Sequence, residues 1–398
     1  MPTDPQPFLI AGGGIGGLAA ALGLARKGYR SVVLERAPTF GEIGAGIQIG
    51  PNAFHAFDYL GIGDAARAKA VYIDRLILMD ALKDEGIASI PLDEPFRKRF
   101  RNPYAVVHRA DLHMVLLDAC RADDMIELRT RSAVECYEQD GSSVTVTLVS
   151  GDRVTGAALI GADGLRSRVR TQLVGDGQPR VSGHTTYRSV IPTEQMPEEL
   201  RWNAATLWAG PKCHIVHYPL KGRQVFNLAV TCHNDAAEPL AAVPVTKDEV
   251  RKKFEHIAER PKQIIERGQE WKLWVLCDRD PAPNWVDGRV VLLGDAAHPM
   301  LQYLAQGACM ALEDAVNLSH HLELAGGNLA EAFAAYNRDR FPRTGRVQLN
   351  SRLLGEYVYH PDGGRAALRN AVLRSSTAQQ HYDRIAWLYG VTGLGAVI

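Results

Sequence analysis

The sequence predicts an α/β protein: a parallel sheet carrying helices, a smaller and mainly antiparallel β-sheet, and a helical C-terminus. Three observations predict it. The chain opens as strand, glycine turn, helix and strand between Phe8 and Glu35. Two later apolar strands, around Leu159-Ile160 and Val290–Leu293, run straight into Gly/Ala-rich turns. Residues 180–280 then change to repeated strand patterns.

Phe8–Ala11 is a short apolar run without helical period, so it reads as a buried strand. Gly12, Gly14 and Gly17, with Ile15 between them, form a G-x-G-x-x-G turn. Leu18–Lys27 continues as a helix stopped by Gly28, and Ser31–Leu34 is a strand ending at Glu35 and Arg36. Glycines there let the backbone approach a pyrophosphate at the helix N-terminus, and an acid after the second strand accepts hydrogen bonds from a ribose. The whole pattern predicts an ADP-containing dinucleotide over a plain tight turn.

The stretch from Gly41 to Asn52 is too glycine-rich for a helix. It reads as a loop or short strand, including Gln48, whose backbone lies against a flat ligand; a surface turn is the plainer alternative. The pattern from Ala53 to Ala70 is helical. His108 and Arg109 open another helix with Asp111 in its first turn, and Asp140-Gly141 marks a hairpin within 134–149. Strands follow at Tyr187–Val190, Ala205–Ala209, Cys213–Tyr218 and Val225–Thr231, with one helix inserted from Thr246 to Arg260.

With 398 residues, 45 Lys+Arg against 45 Asp+Glu, and 46% hydrophobic residues, the chain has room for about two domains. Its charge balance gives no field that favours nucleic acid or an anionic membrane. No apolar run reaches transmembrane length, and no signal region opens the chain. Six scattered cysteines without a CxxC pair suit reduced thiols in the cytoplasm, and no histidine group has metal-ligand spacing.

Three separated turns need one explanation: Gly12–Gly17, Ala162–Arg170 and Gly294–His298. An aspartate ending a buried strand can accept bonds from hydroxyls of an extended cofactor, and a following helix offers free N–H groups. Asp295 fits that role; Asp163 fits it and fits simple helix capping equally.

In order and spacing these three motifs, Gly-x-Gly-x-x-Gly to Glu35-Arg36, Gly161-Ala-Asp-Gly-Leu-Arg-Ser-Arg-Val-Arg170 and Gly294-Asp-Ala-Ala-His-Pro299, resemble the class A flavoprotein aromatic hydroxylases from about residue 8 to 350. The resemblance implies a Rossmann-like domain binding FAD non-covalently. NADH would be a transient electron donor, with NADPH left open. It assigns Glu35 to the adenosine ribose and Arg109 to the phosphate–ribityl region. Asp295 goes to the ribityl chain or pyrophosphate, and Gly307-Ala308 after Pro299 to the flavin pyrimidine. Asp163 would serve coenzyme interplay as well as structure. It also implies O2 activation as a flavin C4a-hydroperoxide, which must be kept dry, and a small aromatic acid as substrate.

On the Cys213–Tyr218 strand, His214 and Tyr218 point to one face and His217 to the other. His214 and Tyr218 therefore form a candidate pocket wall with Gln302 arriving from the flavin side, while His217 reads as structural. Within the family the stretches Gly-Pro-Lys-Cys-His-Ile-Val-His-Tyr-Pro-Leu220 and Pro299-Met-Leu-Gln-Tyr-Leu-Ala-Gln-Gly-Ala308 most resemble the branch that hydroxylates 3-hydroxybenzoate para to its phenol, which implies gentisate as product. Carried over, His214 and Gln302 bracket the phenol, and Tyr218 and Tyr104 orient the ring or its carboxylate. No arginine in these stretches stands out as a carboxylate clamp.

The expected division is a cofactor domain over 1–75, 103–178 and 281–350, a substrate domain over 76–102 and 179–280, and a helical segment over 351–398. Beyond about Tyr357 the tail reads as exposed and suited to pack a homodimer. Salicylate 1-hydroxylation and 6-hydroxynicotinate 3-hydroxylation remain alternatives within the class. A flavin-dependent dehydrogenase or halogenase is another class, and halogenases need a lysine that Gly294–Asp314 lacks.

Overall fold

The computed structural model describes residues 6–41, 44 and 46–390; Glu42, Ile43 and Ala45 of the glycine-rich stretch, and 391–398 of the tail, lie outside them. A six-stranded sheet runs, in spatial order, Val286–Asp287, Val290–Leu292, Ala158–Gly161, Phe8–Ala11, Ser31–Leu34, Ile126–Arg129. All its pairs are parallel except that of the edge strand Val286–Asp287. Ala158–Gly161, Phe8–Ala11 and Ser31–Leu34 are buried throughout, which is why they read as unbroken apolar runs. The C-terminal ends of three adjacent strands therefore bring the three glycine turns side by side.

Helix Ile15–Ala25 packs on helix Gly307–Leu324 because its residues are small. A Cβ on Gly23 would stand 3.0 Å from the Ala315 carbonyl oxygen.

A second sheet of eight strands runs Val243–Pro244, Gln269–Asp278, Arg180–Pro192, Val225–Ala236, Cys213–Leu220, Ala204–Gly210, Arg75–Asp80, Gly86–Pro91. It is antiparallel except where Ala204–Gly210 meets Arg75–Asp80. One face buries Tyr187, Trp208, Ile215, Leu228 and Val230 against Phe254, Ile257 and Ile264. The other face looks toward the glycine turns. The fold is thus a mixed α/β architecture with a parallel sheet, a mainly antiparallel sheet and C-terminal helices.

Some expectations need correction. The helix expected from Thr246 to Arg260 is two helices, Lys247–Lys253 and Glu259–Arg267. Phe254 and Ile257 leave helical geometry to fill the core, and Pro261 sits in the first turn of the second helix, where a missing N–H costs little. The helical stretch after Ala53 also divides, at Gly61, whose φ of +76° ends Pro51–Tyr59 before Gly63–Lys69 begins. The ten-residue strand Gln269–Asp278 was not anticipated. The tail is exposed over much of 361–380 as expected, but its last helix is anchored: Tyr382, Leu388 and Tyr389 are 3%, 1% and 5% exposed and pack with Phe96, Phe100 and Tyr104. Among the described residues no helix is long and apolar enough to cross a membrane.

Candidate functional site

The three turns and the open face of the eight-stranded sheet enclose one cavity of ≈ 810 Å³. Gly12, Gly14, Ile15, Glu35, Arg36, Gln48, Arg109, Asp163, Asp295, Gly307 and Ala308 all line it. Gly12 has φ +104°, and a Cβ there would lie 2.5 Å from the Ala162 carbonyl oxygen, so the first turn rests directly on the second. Gly17 does not line the cavity. Its Cβ would stand 1.9 Å from the Gly12 carbonyl oxygen, so it serves helix-to-strand closeness.

Glu35 accepts hydrogen bonds from the Gly13 and Ala37 amides, each at 2.8 Å, which fixes its carboxylate at the end of the turn. Asp163 Oδ2 accepts from the Arg168 amide at 2.7 Å and so caps the Arg168–Leu173 helix together with Ser167. Its Oδ1 is buried with no partner in the protein among the described residues, and burial raises its pKa. Asp163 lines a cavity whose floor is glycine backbone and two helix N-termini, which fits an extended diphosphate cofactor with hydroxyls. Asp295 is exposed to the cavity, with its Oδ1 3.7 Å from where a Cβ on Gly307 would lie. Pro299 stands outside the cavity, buried, its carbonyl accepting from Gln348 Nε2 at 3.1 Å.

A buried ionic network that sequence reasoning missed pins the third turn. Asp314 Oδ2 accepts from the Gly294 amide at 3.0 Å and meets His298 Nε2 at 2.5 Å, while Oδ1 accepts from Arg340 at 2.7 Å. Glu313 accepts from Arg340, Arg343 and Asn52 at 2.6–2.7 Å. Burial pushes the Asp314 carboxyl up, but His298 and Arg340 beside it win and hold it at about 2. The adjacent pair Glu313-Asp314 on a predicted helix was the available signal.

The wall of the cavity formed by the eight-stranded sheet is built from three cross-strand rows. His214 pairs with Thr231 and that with Thr186; Val216 with Ala229 and that with Arg188; Tyr218 with Asn227 and that with Val190. His214, Val216, Tyr218, Asn227, Ala229 and Arg188 line the cavity. Gln302 also lines it, and its Nε2 donates to Thr186 Oγ1 at 3.0 Å and Thr231 Oγ1 at 3.1 Å, the row of His214. His217 lies on the opposite face, packed on Trp202 and Phe226, and burial lowers its pKa to about 3. Tyr104 stands behind the wall rather than on it: its hydroxyl donates to Gln48 Oε1 at 2.6 Å.

Arg188 was not singled out from the sequence. It donates to Gln302 Oε1 at 3.2 Å, and among the described residues no carboxylate forms an ion pair with it. Burial lowers its pKa, and the neighbouring Arg109 charge adds to this while Tyr218 opposes it. Such an enclosed guanidinium calls for an anion.

The C-terminal segment supplies the last wall. Tyr359 lines the cavity, and His360 Nε2 stands 2.7 Å from His214 Nδ1. Burial first, then the His360 and His184 charges, hold His214 well below the usual histidine range. His214 is therefore held in its neutral form at pH 7, with Nδ1 engaged by His360.

Residues 6–351 match the model of the FAD binding domain family. The chain is 58% identical over 383 residues to 3-hydroxybenzoate 6-hydroxylase 1 of Aquipseudomonas alcaligenes, covering 96% of this chain and 97% of that protein. It is 49% identical over 389 residues to 3-hydroxybenzoate 6-hydroxylase of Polaromonas naphthalenivorans (strain CJ2), covering 98% and 96%. Among solved structures, Klebsiella pneumoniae HpxO complexed with FAD and uric acid superposes with a TM-score of 0.86 at 25% identity, covering 99% of this chain and 98% of that one. A salicylate hydroxylase substrate complex gives 0.82 at 25% identity, covering 98% and 97%. With its three turns gathered on one cavity, the chain belongs to the FAD binding domain family and, within it, to the flavin-dependent aromatic hydroxylases.

Proposed function

We propose that this enzyme hydroxylates 3-hydroxybenzoate para to its phenol, giving gentisate, with non-covalent FAD, NADH as transient reductant and O2 as oxygen source. The observation that carries the reading is the row pattern on one wall. A neutral histidine with Gln302 stands at one level and an enclosed guanidinium at the next, which suits a phenol and a carboxylate on one ring. The names of the two relatives support the same substrate. When bound, FAD supplies the electron transfer and oxygen activation.

The chain's own residues do the rest in this reading. Glu35, Asp163 and Asp295 receive the cofactor's hydroxyls, and the glycine turns receive its diphosphate. Arg188 holds the carboxylate, with the Tyr218 hydroxyl beside it. His214 Nε2 takes the phenolic proton, making the ring electron-rich, and Gln302 orients the hydroxyl. Tyr359, Val216 and the buried sheet keep water from the ring. A cytoplasmic setting and a homodimer belong to the same proposal.

The test is to supply purified, FAD-loaded protein with NADH, O2 and a panel of monohydroxybenzoates and identify the products by chromatography. Gentisate from 3-hydroxybenzoate with matched NADH consumption supports the reading. Catechol from salicylate, or NADH loss without oxygenated product, overturns it.

A further inference from the structure

A base as hard to protonate as His214 is a poor final resting place for a proton. It is 1% exposed, and its neighbours on every packed element are Tyr303 from the flavin-side turn, Tyr359 and His360 from the C-terminal segment, and His184 from a nearby strand. None of these is a carboxylate that would stabilise an imidazolium. His214 Nδ1 is instead joined to His360 Nε2 at 2.7 Å.

His360 is partly exposed and leads outward. Its ring packs edge-on against His184 at 5.1 Å, and His184 against His233 at 4.5 Å. The His233 side chain is 37% exposed and meets Asp235 at 3.2 Å, with Asp235 itself 87% exposed. Tyr303, 2.5 Å from His184 Nδ1, and the charges of Arg180 and Asp278 also face this group. Four histidines thus run from the cavity wall to solvent.

We propose that His360 is a relay residue, acting through His214, that carries the substrate's phenolic proton out of the closed site toward the His184–His233 edge. The idea rests on His214 serving as the base. The phenolic O–H bond breaks and its proton goes to His214 Nε2. The proton on His214 Nδ1 passes to His360 Nε2, and the one on His360 Nδ1 leaves to water at that edge. Both imidazoles end neutral with tautomers exchanged, the phenolate stays in the cavity, and the reverse path reprotonates the product and restores the tautomers. Burial followed by the neighbouring histidines, which lower His360 to about 3 and His184 to about 4, suits groups that pass a proton without keeping it.

The experiment compares wild-type holoenzyme with H360N and H360Q, measuring gentisate kcat, KM, FAD affinity and the pH profile with and without added imidazole. The relay predicts a kcat lowered about tenfold or more at pH 7, with KM and FAD affinity unchanged. It also predicts recovery as pH rises toward the phenol's own ionisation, and rescue by imidazole. An unchanged kcat, or a loss that neither pH nor imidazole restores, overturns the relay. Should neither variant fold, a proton inventory on wild-type turnover decides. Curvature with deuterium fraction supports several protons in flight; a straight line overturns it. Failure of the base assignment is separate, since H214A would then form gentisate normally.

Discussion

Gly46, which opens the strand Gly46–Ile49, and Tyr218 touch at the cavity wall: a Cβ on Gly46 would lie 2.5 Å from Cε2 of the tyrosine ring and 2.8 Å from its hydroxyl. The Gly46 amide also donates to Asn227 Oδ1 at 2.9 Å, in the same cross-strand row. The missing side chain at position 46 is what lets the tyrosine stand against the strand Gly46–Ile49. Gly46→Ala should cost about 1–3 kcal/mol through overpacking and raise KM for the aromatic acid by moving Tyr218. Thermal unfolding together with steady-state kinetics checks it, and an unchanged KM would show that Tyr218 does not position the ring.

His214→Ala should lower hydroxylation by about 10²-fold or more, the usual share of a positioned base, while NADH oxidation continues with the oxygen appearing as peroxide. The ratio of gentisate to NADH consumed measures this. A fully coupled variant would remove His214 from the mechanism.

Arg188→Gln should weaken the carboxylate contact by about 1.5–3 kcal/mol, the scale of a hydrogen bond to a charged group, read as a raised KM for 3-hydroxybenzoate. Uncharged 3-hydroxybenzyl alcohol should lose little by the same change. Equal losses for both compounds would mean that Arg188 serves the cofactor or the fold.

Asp314→Asn should destabilise the protein by about 3–5 kcal/mol, because Arg340 would lose one of its two buried carboxylate partners. The third turn would loosen with it and weaken FAD binding. The sign of the pH effect follows from the carboxyl being held at about 2 in the fold against 3.8 ordinarily. Its contribution is complete above 3.8 and is lost as pH falls toward 2. Urea unfolding at pH 7 and pH 3 should therefore show a smaller gap between wild type and variant at pH 3.

The cofactor end was legible because glycine turns and strand-ending acids are local requirements written in consecutive residues. The pairing of His214 with Tyr218 was legible because strand alternation needs only one strand. Arg188 was not, although it lies on a strand the sequence revealed. Its place beside Ala229 and Val216 depends on the register of strands 28 and 41 positions away. His360 depends on a still longer return of the chain, 146 residues after His214. The Glu313, Asp314 and Arg340 network was hidden for a related reason: charged residues on helices normally read as solvated faces, and these three are fully buried.

The most direct test is a crystal structure of the FAD-loaded enzyme with 3-hydroxybenzoate. The account predicts the phenolic oxygen within hydrogen-bonding distance of His214 Nε2 and Gln302, and the carboxylate on Arg188 near Tyr218. A carboxylate against His214, or a ring bound away from the three cross-strand rows, would contradict it.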